Sequence, residues 1–173
     1  MSQKMESIMK KITVAKVVLN MGVGKSGDPI EKAKRALEQI SGQKPNPRAA
    51  KATQRDWGVH KGEPIGVAVT IRKKPALELI KRLISAKGSQ LKGSSFDEFG
   101  NVSFGIREHI DIPGVKYDPD VGIVGLNITI SLTRPGFGIR FRSKHKASIG
   151  NTHRITAQDA KDFLAREFGV QVV

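Results

Sequence analysis

Val14 to Glu31 read VAKVVLNMGVGKSGDPIE, and the fold turns on how this stretch is parsed. It begins as a strand, passes through a glycine-rich turn and opens a helix. In the strand, Ala15, Val17 and Leu19 fall on one face and Lys16 and Asn20 on the other, because successive side chains of an extended chain point to opposite sides. Asp28 suits an N-cap, Pro29 the first helical position, and Glu31 completes a D-x-x-E capping box. The turn has the layout of a phosphate-cradling loop and ends Gly24-Lys25-Ser26. Such a loop needs G-x-x-x-x-G-K-[ST], whose backbone N–H groups curl around the phosphates. The first glycine of that pattern would stand where Leu19 is, and Gly22 comes too late. An acid at the cap also occupies the positive helix end that a phosphate would want. No metal-binding Asp follows a second hydrophobic strand, so no enzyme activity is expected.

The chain has 173 residues, enough for one domain with a real core. Its 30 Lys and Arg against 16 Asp and Glu give a net charge of +14, which points to a polyanionic partner. It has no cysteine, so neither a disulfide framework nor a cysteine zinc site is possible. His60, His109, His145 and His153 lack ligand spacing, and no metal or cofactor is expected. The N-terminus lacks the apolar core of a signal peptide, and no run approaches the roughly 18 apolar residues of a membrane span. A cytoplasmic protein is the expectation.

The charge is uneven. Ser41 to Gly62 holds Lys44, Arg48, Lys51, Arg55 and Lys61 against Asp56. Between Asp120 and Asp159 there is no acid, while Arg134, Arg140, Arg142, Lys144, Lys146 and Arg154 accumulate. In contrast, Asp97, Glu98, Glu108, Asp111, Asp118 and Asp120 gather against Arg107 and Lys116. Two basic regions and one acidic region make a nucleic-acid footprint a better reading than a merely solvated surface.

Helical periodicity predicts three helices. Pro29 to Ile40 aligns Ile30, Ala33, Leu37 and Ile40; Pro75 to Lys87 aligns Leu77, Ile80, Leu83 and Ile84. Ala157 to Phe168 aligns Ala160, Phe163, Leu164 and Phe168. Gly42, Gly88 and Gly169 are the stops. A shorter helix is expected around Glu6 to Lys11. Alternation predicts strands at Ile65 to Arg72 and Leu126 to Thr133, with Ala68, Thr70 and Arg72, and Asn127, Thr129, Ser131 and Thr133, on the polar side. Val102 to Ile110 alternates less cleanly. The fold class is therefore α+β: a single domain whose antiparallel or mixed sheet carries helices on one face and leaves a polar face opposite. Hydroxyls and amides rimmed by Lys and Arg suit phosphates and 2′-OH groups. That face offers no aromatic side chain for stacking unpaired bases, so a folded RNA, read by backbone and shape, is expected. This weighs against a rival reading as an RNA chaperone with an RRM-like sheet.

VLNMGVG (18–24), ISGQKP (40–45), PIGVAVTIR (64–72), FDEFGNVSFGIREHI (96–110) and YDPDVGIVGLNITI (117–130) follow in order. Together they resemble the large-subunit ribosomal protein number five family, which binds 5S rRNA in the central protuberance. RPGFGIRFRSKHK and IGNTHRITAQDAKDFL resemble its archaeal and eukaryotic branch. The resemblance implies a ribosomal location, with 5S rRNA, 23S-type rRNA and neighbouring 5S-binding ribosomal proteins as partners. It implies 5S rRNA contacts at Asn20, Gln43 and Thr70. Lys16, beside Asn20 on the wet face, and Lys25, Lys44 and Arg72 are added here as phosphate contacts.

The resemblance also assigns the loops of a single domain spanning 1–173. The basic loop 50–63 is implied to reach peptidyl-site tRNA, with Gln54, Arg55, Trp57 and Lys61 as candidates. The alternative for Trp57 is an anchor that holds this loop on the domain. The acidic loop 108–122 is implied to bridge to small-subunit ribosomal protein thirteen through Asp111, Asp118 and Asp120, unless it is simply solvated. The basic insertion 134–150 offers Arg134, Arg140, Arg142, Lys144 and Lys146 to RNA and is expected to order only there.

Overall fold

The computed structural model describes residues 7–119 and 121–173. Its main sheet is built from β1 (Thr13–Gly22), β2 (Asn46–Ala49), β3 (Pro64–Ile71), β5 (Val102–Ile106) and β6 (Leu126–Thr133). These five strands lie in the order β2-β3-β1-β6-β5, every pair antiparallel. The helices are α1 (Asp28–Ser41), α2 (Lys74–Ala86) and α3 (Ala157–Phe168). A second, parallel pair joins β4 (Gln90–Leu91) to β7 (Gln171–Val172). No helix among the described residues is long and apolar enough to cross a membrane.

β1 is the central strand. Its Val17 and Leu19 stand beside Ile71 and Val69 of β3 on one side and Ile130 and Ile128 of β6 on the other. Val102 and Phe104 of β5 continue the same rows. All these side chains are buried, in one core with Ile30, Leu37 and Ile40 of α1, Ile80 and Leu83 of α2, and Leu164 of α3. Each fully buried aliphatic side chain contributes about 1.5–3 kcal/mol. That makes the helix-covered face of the sheet the dominant source of stability.

Several local expectations are corrected. The pairing of β1 with β6 shifts between Val14 and Lys16, and this bulge rephases the strand. Val14 therefore packs against the core, although simple alternation puts it with Lys16. The helix α1 starts after Gly27, and Asp28 caps nothing through its side chain. Glu31 instead pairs with Lys34, three residues on. In α2, Leu77 is exposed, and Ala76 and Leu79 take the buried stripe with Ile80, Leu83 and Ile84. The strand after Val102 ends at Ile106, because Glu108 to Asp111 turn through a short 3-10 segment. Of the short helix expected over 6–11, Ile8–Lys10 forms one 3-10 turn, and Glu6 lies outside the described residues. The strand β2 has no counterpart among the expected strands: Pro45 and Pro47 flank Asn46 and make the segment read as a loop. Proline is admissible there because β2 is an edge strand.

One turn depends on glycine outright. Gly100 has φ +73°, and a Cβ there would stand 3.0 Å from Ile155 Cβ and closer still to its Cγ2. Ile155 is fully buried and cannot retreat. Gly100→Ala should cost about 2–3 kcal/mol, from overpacking plus the left-handed backbone, which lowers the melting temperature by roughly 4–12 °C. An unchanged melting temperature in a calorimetric scan would contradict this packing.

Candidate nucleic-acid interface

The side of the sheet away from the helices is open. Strand register sets out its side chains in rows. Asn46, Ala68, Asn20, Asn127 and Gly105 lie across one row from β2 to β5. Thr70, Val18, Thr129 and Ser103 lie across the next. Lys16 pairs with Ser131 beyond them. Asn20, Asn46, Asn127, Lys16 and Ser103 are exposed, while Thr70 and Thr129 are half-buried. Ser103 and Thr129 share a hydroxyl hydrogen bond of 3.1 Å. No acid stands in these rows.

Small residues keep the face flat. At Gly66 a Cβ would lie 2.9 Å from the Met21 carbonyl oxygen, and at Gly105 one would lie 3.3 Å from Asn127 Oδ1. A flat surface of amides and hydroxyls can donate to phosphate oxygens and exchange hydrogen bonds with ribose hydroxyls. It carries no exposed aromatic side chain: Trp57, Phe99, Tyr117 and Phe141, the large exposed aromatics among the described residues, all lie outside the main sheet.

The structure brings Lys16, Asn20 and Thr70 onto this one face. Arg72 follows the last pair of β3 with β1 and is exposed. Gln43 and Lys44 are exposed in the loop that leads into Asn46 at the β2 edge. Lys25 is exposed in the turn after β1, where the N–H groups of Val23 and Gly24 both donate to Ile65 O at 2.9 Å. Sequence reasoning places Asn127 and Thr129 on the polar face without naming them as contacts, and does not single out Asn46 or Ser103. The alternation of β6 already turns Asn127 and Thr129 outward, whereas nothing in PNPR announces that Asn46 belongs to the sheet.

The adjoining turn is not a nucleotide cradle. The Ser26 hydroxyl donates to Glu63 Oε1, and the His60 N–H donates to Glu63 Oε2 at 3.1 Å. These bonds, Ser26 first, hold the Glu63 carboxyl below the usual range. Ser26 is thereby committed to a carboxylate and fastens the turn to the end of loop 50–63.

That loop is closed by its own hydrogen bonds. Ala50 N–H reaches Glu63 O, Gly62 N–H reaches Ala50 O, and Gln54 and Val59 exchange N–H bonds at 2.9 and 3.1 Å. Arg55–Trp57 form a 3-10 turn ended by Gly58 in the left-handed region. Val59 is buried, whereas Trp57 is 77% exposed. The anchor reading of Trp57 is therefore corrected. Gln54, Arg55 and Lys61 are exposed around it.

In the acidic loop, Asp111 is exposed and Asp118 half-buried, and Asp120 lies outside the described residues. Asp118 O accepts from the N–H groups of Val121 and Gly122. Arg82 of α2 braces the loop by donating from Nε to Pro113 O at 2.8 Å. Exposed Tyr117 and Ile123 accompany the acids.

The basic insertion is folded back on the domain. Arg134, counted among the RNA contacts, turns inward: its side chain is only 10% exposed and meets Asp159 at 3.1 Å. It also donates to the carbonyls of His153 and Arg154. Ala147 N–H closes the segment on Ile139 O. Arg140, Arg142, Lys144 and Lys146 remain exposed. Asp159 also forms a capping box with Thr156 at the start of α3. Burial pushes the Asp159 carboxyl up, but the bonds from Thr156 and the Arg134 charge outweigh it and hold the carboxyl below its ordinary value.

A depressed carboxyl stabilises only while ionised. The clamp is complete above the ordinary aspartate range, about pH 4, and is lost as pH falls through the lower folded value. Amide spectra of 134–154 should hold from neutral pH to about 4 and change below it. Asp159→Asn should bring the change at pH 7; spectra indifferent to both would remove the clamp from the account.

Known proteins match the chain along most of its length. A family model described as "Ribosomal protein L5" matches residues 7–60, and a second model, for the C-terminus of the same ribosomal protein family, matches residues 64–163. The chain is similar to proteins named "Large ribosomal subunit protein uL5". That of Nitrosopumilus maritimus is 70% identical over 99% of both chains. That of Cenarchaeum symbiosum is 66% identical, covering 95% of this chain and 98% of the relative. That of Sulfurisphaera tokodaii is 46% identical, covering 95% and 94%.

Proposed function

The chain belongs to the ribosomal protein L5 family, the uL5 proteins of the large ribosomal subunit, and from that membership we propose that its open sheet face docks 5S rRNA in the central protuberance. A member of this family is a structural, non-enzymatic component that partners ribosomal RNA and ribosomal proteins. The observation that carries the finer reading is the uncovered pair of polar rows around Asn20 and Thr70, free of acids and aromatics.

In this reading Asn20, Thr70 and Gln43 hydrogen-bond the RNA, and Lys16, Lys25, Lys44 and Arg72 meet its phosphates. Asn46 and Asn127 extend the same contact. Backbone contacts of this kind fix position without reading bases, so selectivity comes from the shape of a folded RNA that fits a flat face. Loop 50–63 touches peptidyl-site tRNA through Gln54, Arg55, Trp57 and Lys61, gripping a backbone and therefore accepting every tRNA. The acidic loop, with Asp111, Asp118 and Asp120, bridges to the basic small-subunit ribosomal protein thirteen. Complementary charge permits such a contact to break and re-form. Arg140, Arg142, Lys144 and Lys146 contact further RNA, including 23S-type rRNA.

A filter-binding titration at physiological salt against 5S rRNA, tRNA and an unrelated duplex tests the assignment. A clear preference for 5S rRNA is expected, and equal affinity for all three would leave only a generic polycation. Asn20→Ala and Thr70→Ala should each weaken 5S rRNA binding by about 1–2 kcal/mol, roughly 5–30-fold. A folded double variant that binds as tightly as the parent would refute the sheet-face assignment.

A further inference from the structure

A cavity of about 420 Å³ lies where the basic insertion folds back on the domain. This is within the usual size range for small-molecule sites. Its floor is apolar, made by Phe137 and by Ile155, which is 1% exposed. Arg140, Lys146 and Arg154 line it as well, and among the described residues none of the three has an ion-pair partner. Arg154 is oriented by a bond from Nε to Ile149 O at 3.3 Å, which leaves its outer nitrogens available.

The rim holds an aromatic ring on a stiff support. Phe99 is 56% exposed. Its N–H donates to Asp97 Oδ1 at 3.0 Å, and Asn101 donates to the same carboxylate from N–H and Nδ2, each at 2.6 Å. Gly100, next to Phe99, presses against Ile155 of the floor. The turn is thus packed against a residue of the cavity it helps to line. Asp97 directs both its oxygens into the turn.

Apolar lining, an exposed aromatic ring and three cations without an ion-pair partner among the described residues match one chemistry: a flat heteroaromatic base with a phosphate attached. The three cations disfavour a basic ligand. We propose that this cavity receives a single nucleotide unstacked from ribosomal RNA, its base against Phe99 and the apolar floor and its phosphate on Arg140, Lys146 and Arg154. This site is separate from the sheet face and rests on the chain's place in the large subunit, not on the 5S rRNA assignment. It also gives the insertion a recognition task beyond general charge.

The test uses assembled large subunits carrying this chain. Ultraviolet cross-linking followed by digestion and mass spectrometry should find a nucleotide adduct on Phe99 or Phe137. Adducts on the open sheet face with none at the cavity would overturn the inference and leave the 5S reading standing; the reverse would do the opposite. Probing of rRNA with a reagent for unstacked nucleotides gives a second readout. In subunits with Phe99→Ala one protected nucleotide should become roughly tenfold more reactive, the scale of a lost base–aromatic stack, and Phe99→Tyr should restore protection. Identical reactivity in the parent and Phe99→Ala subunits would also overturn it.

Discussion

Burial of Val17, Leu19 and Met21 against the helices decides which side of the sheet is left open. The period of two leaves no choice for their neighbours: once those three point inward, Lys16, Val18 and Asn20 must point out. Because β1 is central, the rows it starts extend through β3 and β6 to both edges. A slip of one residue would exchange an apolar row for an amide row and expose the core. The open polar face is thus fixed by the largest stabilising term in the fold and needs no separate device to hold it.

The loops are placed by smaller terms that act from the same frame. Ser26 and Glu63 tie the turn after β1 to the root of loop 50–63. Arg82 reaches from α2 to the acidic loop, and Arg134 ties the insertion to α3 through Asp159. Each is a charged or hydrogen-bonded brace between a rigid element and a segment with little core of its own. The basic and acidic regions therefore project from different parts of one scaffold, as the uneven charge along the chain anticipates.

Much of this is legible in sequence. Alternation in Lys16 to Asn20, Ile65 to Arg72 and Leu126 to Thr133 marks the apolar and polar faces. Helical spacing with closing glycines marks α1, α2 and α3. What escapes depends on pairing and tertiary contacts. Pro47 conceals β2 because an edge strand tolerates a missing donor that a central strand does not. The bulge near Val14 depends on β6, far along the chain. Arg134 looks like its basic neighbours until Asp159 is brought beside it, and Trp57 looks as suited to anchoring as to contact. Among candidate site residues, Lys16, Asn20 and Thr70 are legible because strand period alone turns them outward, whereas Asn46 requires the register.

The central claim is that RNA docks on the open face and not on the helices. Because the chain has no cysteine, a single one can be placed at will and tethered to an iron chelate that generates hydroxyl radicals. Asn127→Cys lies on the open face, and Glu78→Cys lies on the exposed side of α2. With both variants bound to 5S rRNA, the account predicts localised strand cleavage from the position-127 tether and background cleavage from position 78. Localised cleavage from position 78, with none from position 127, would contradict it.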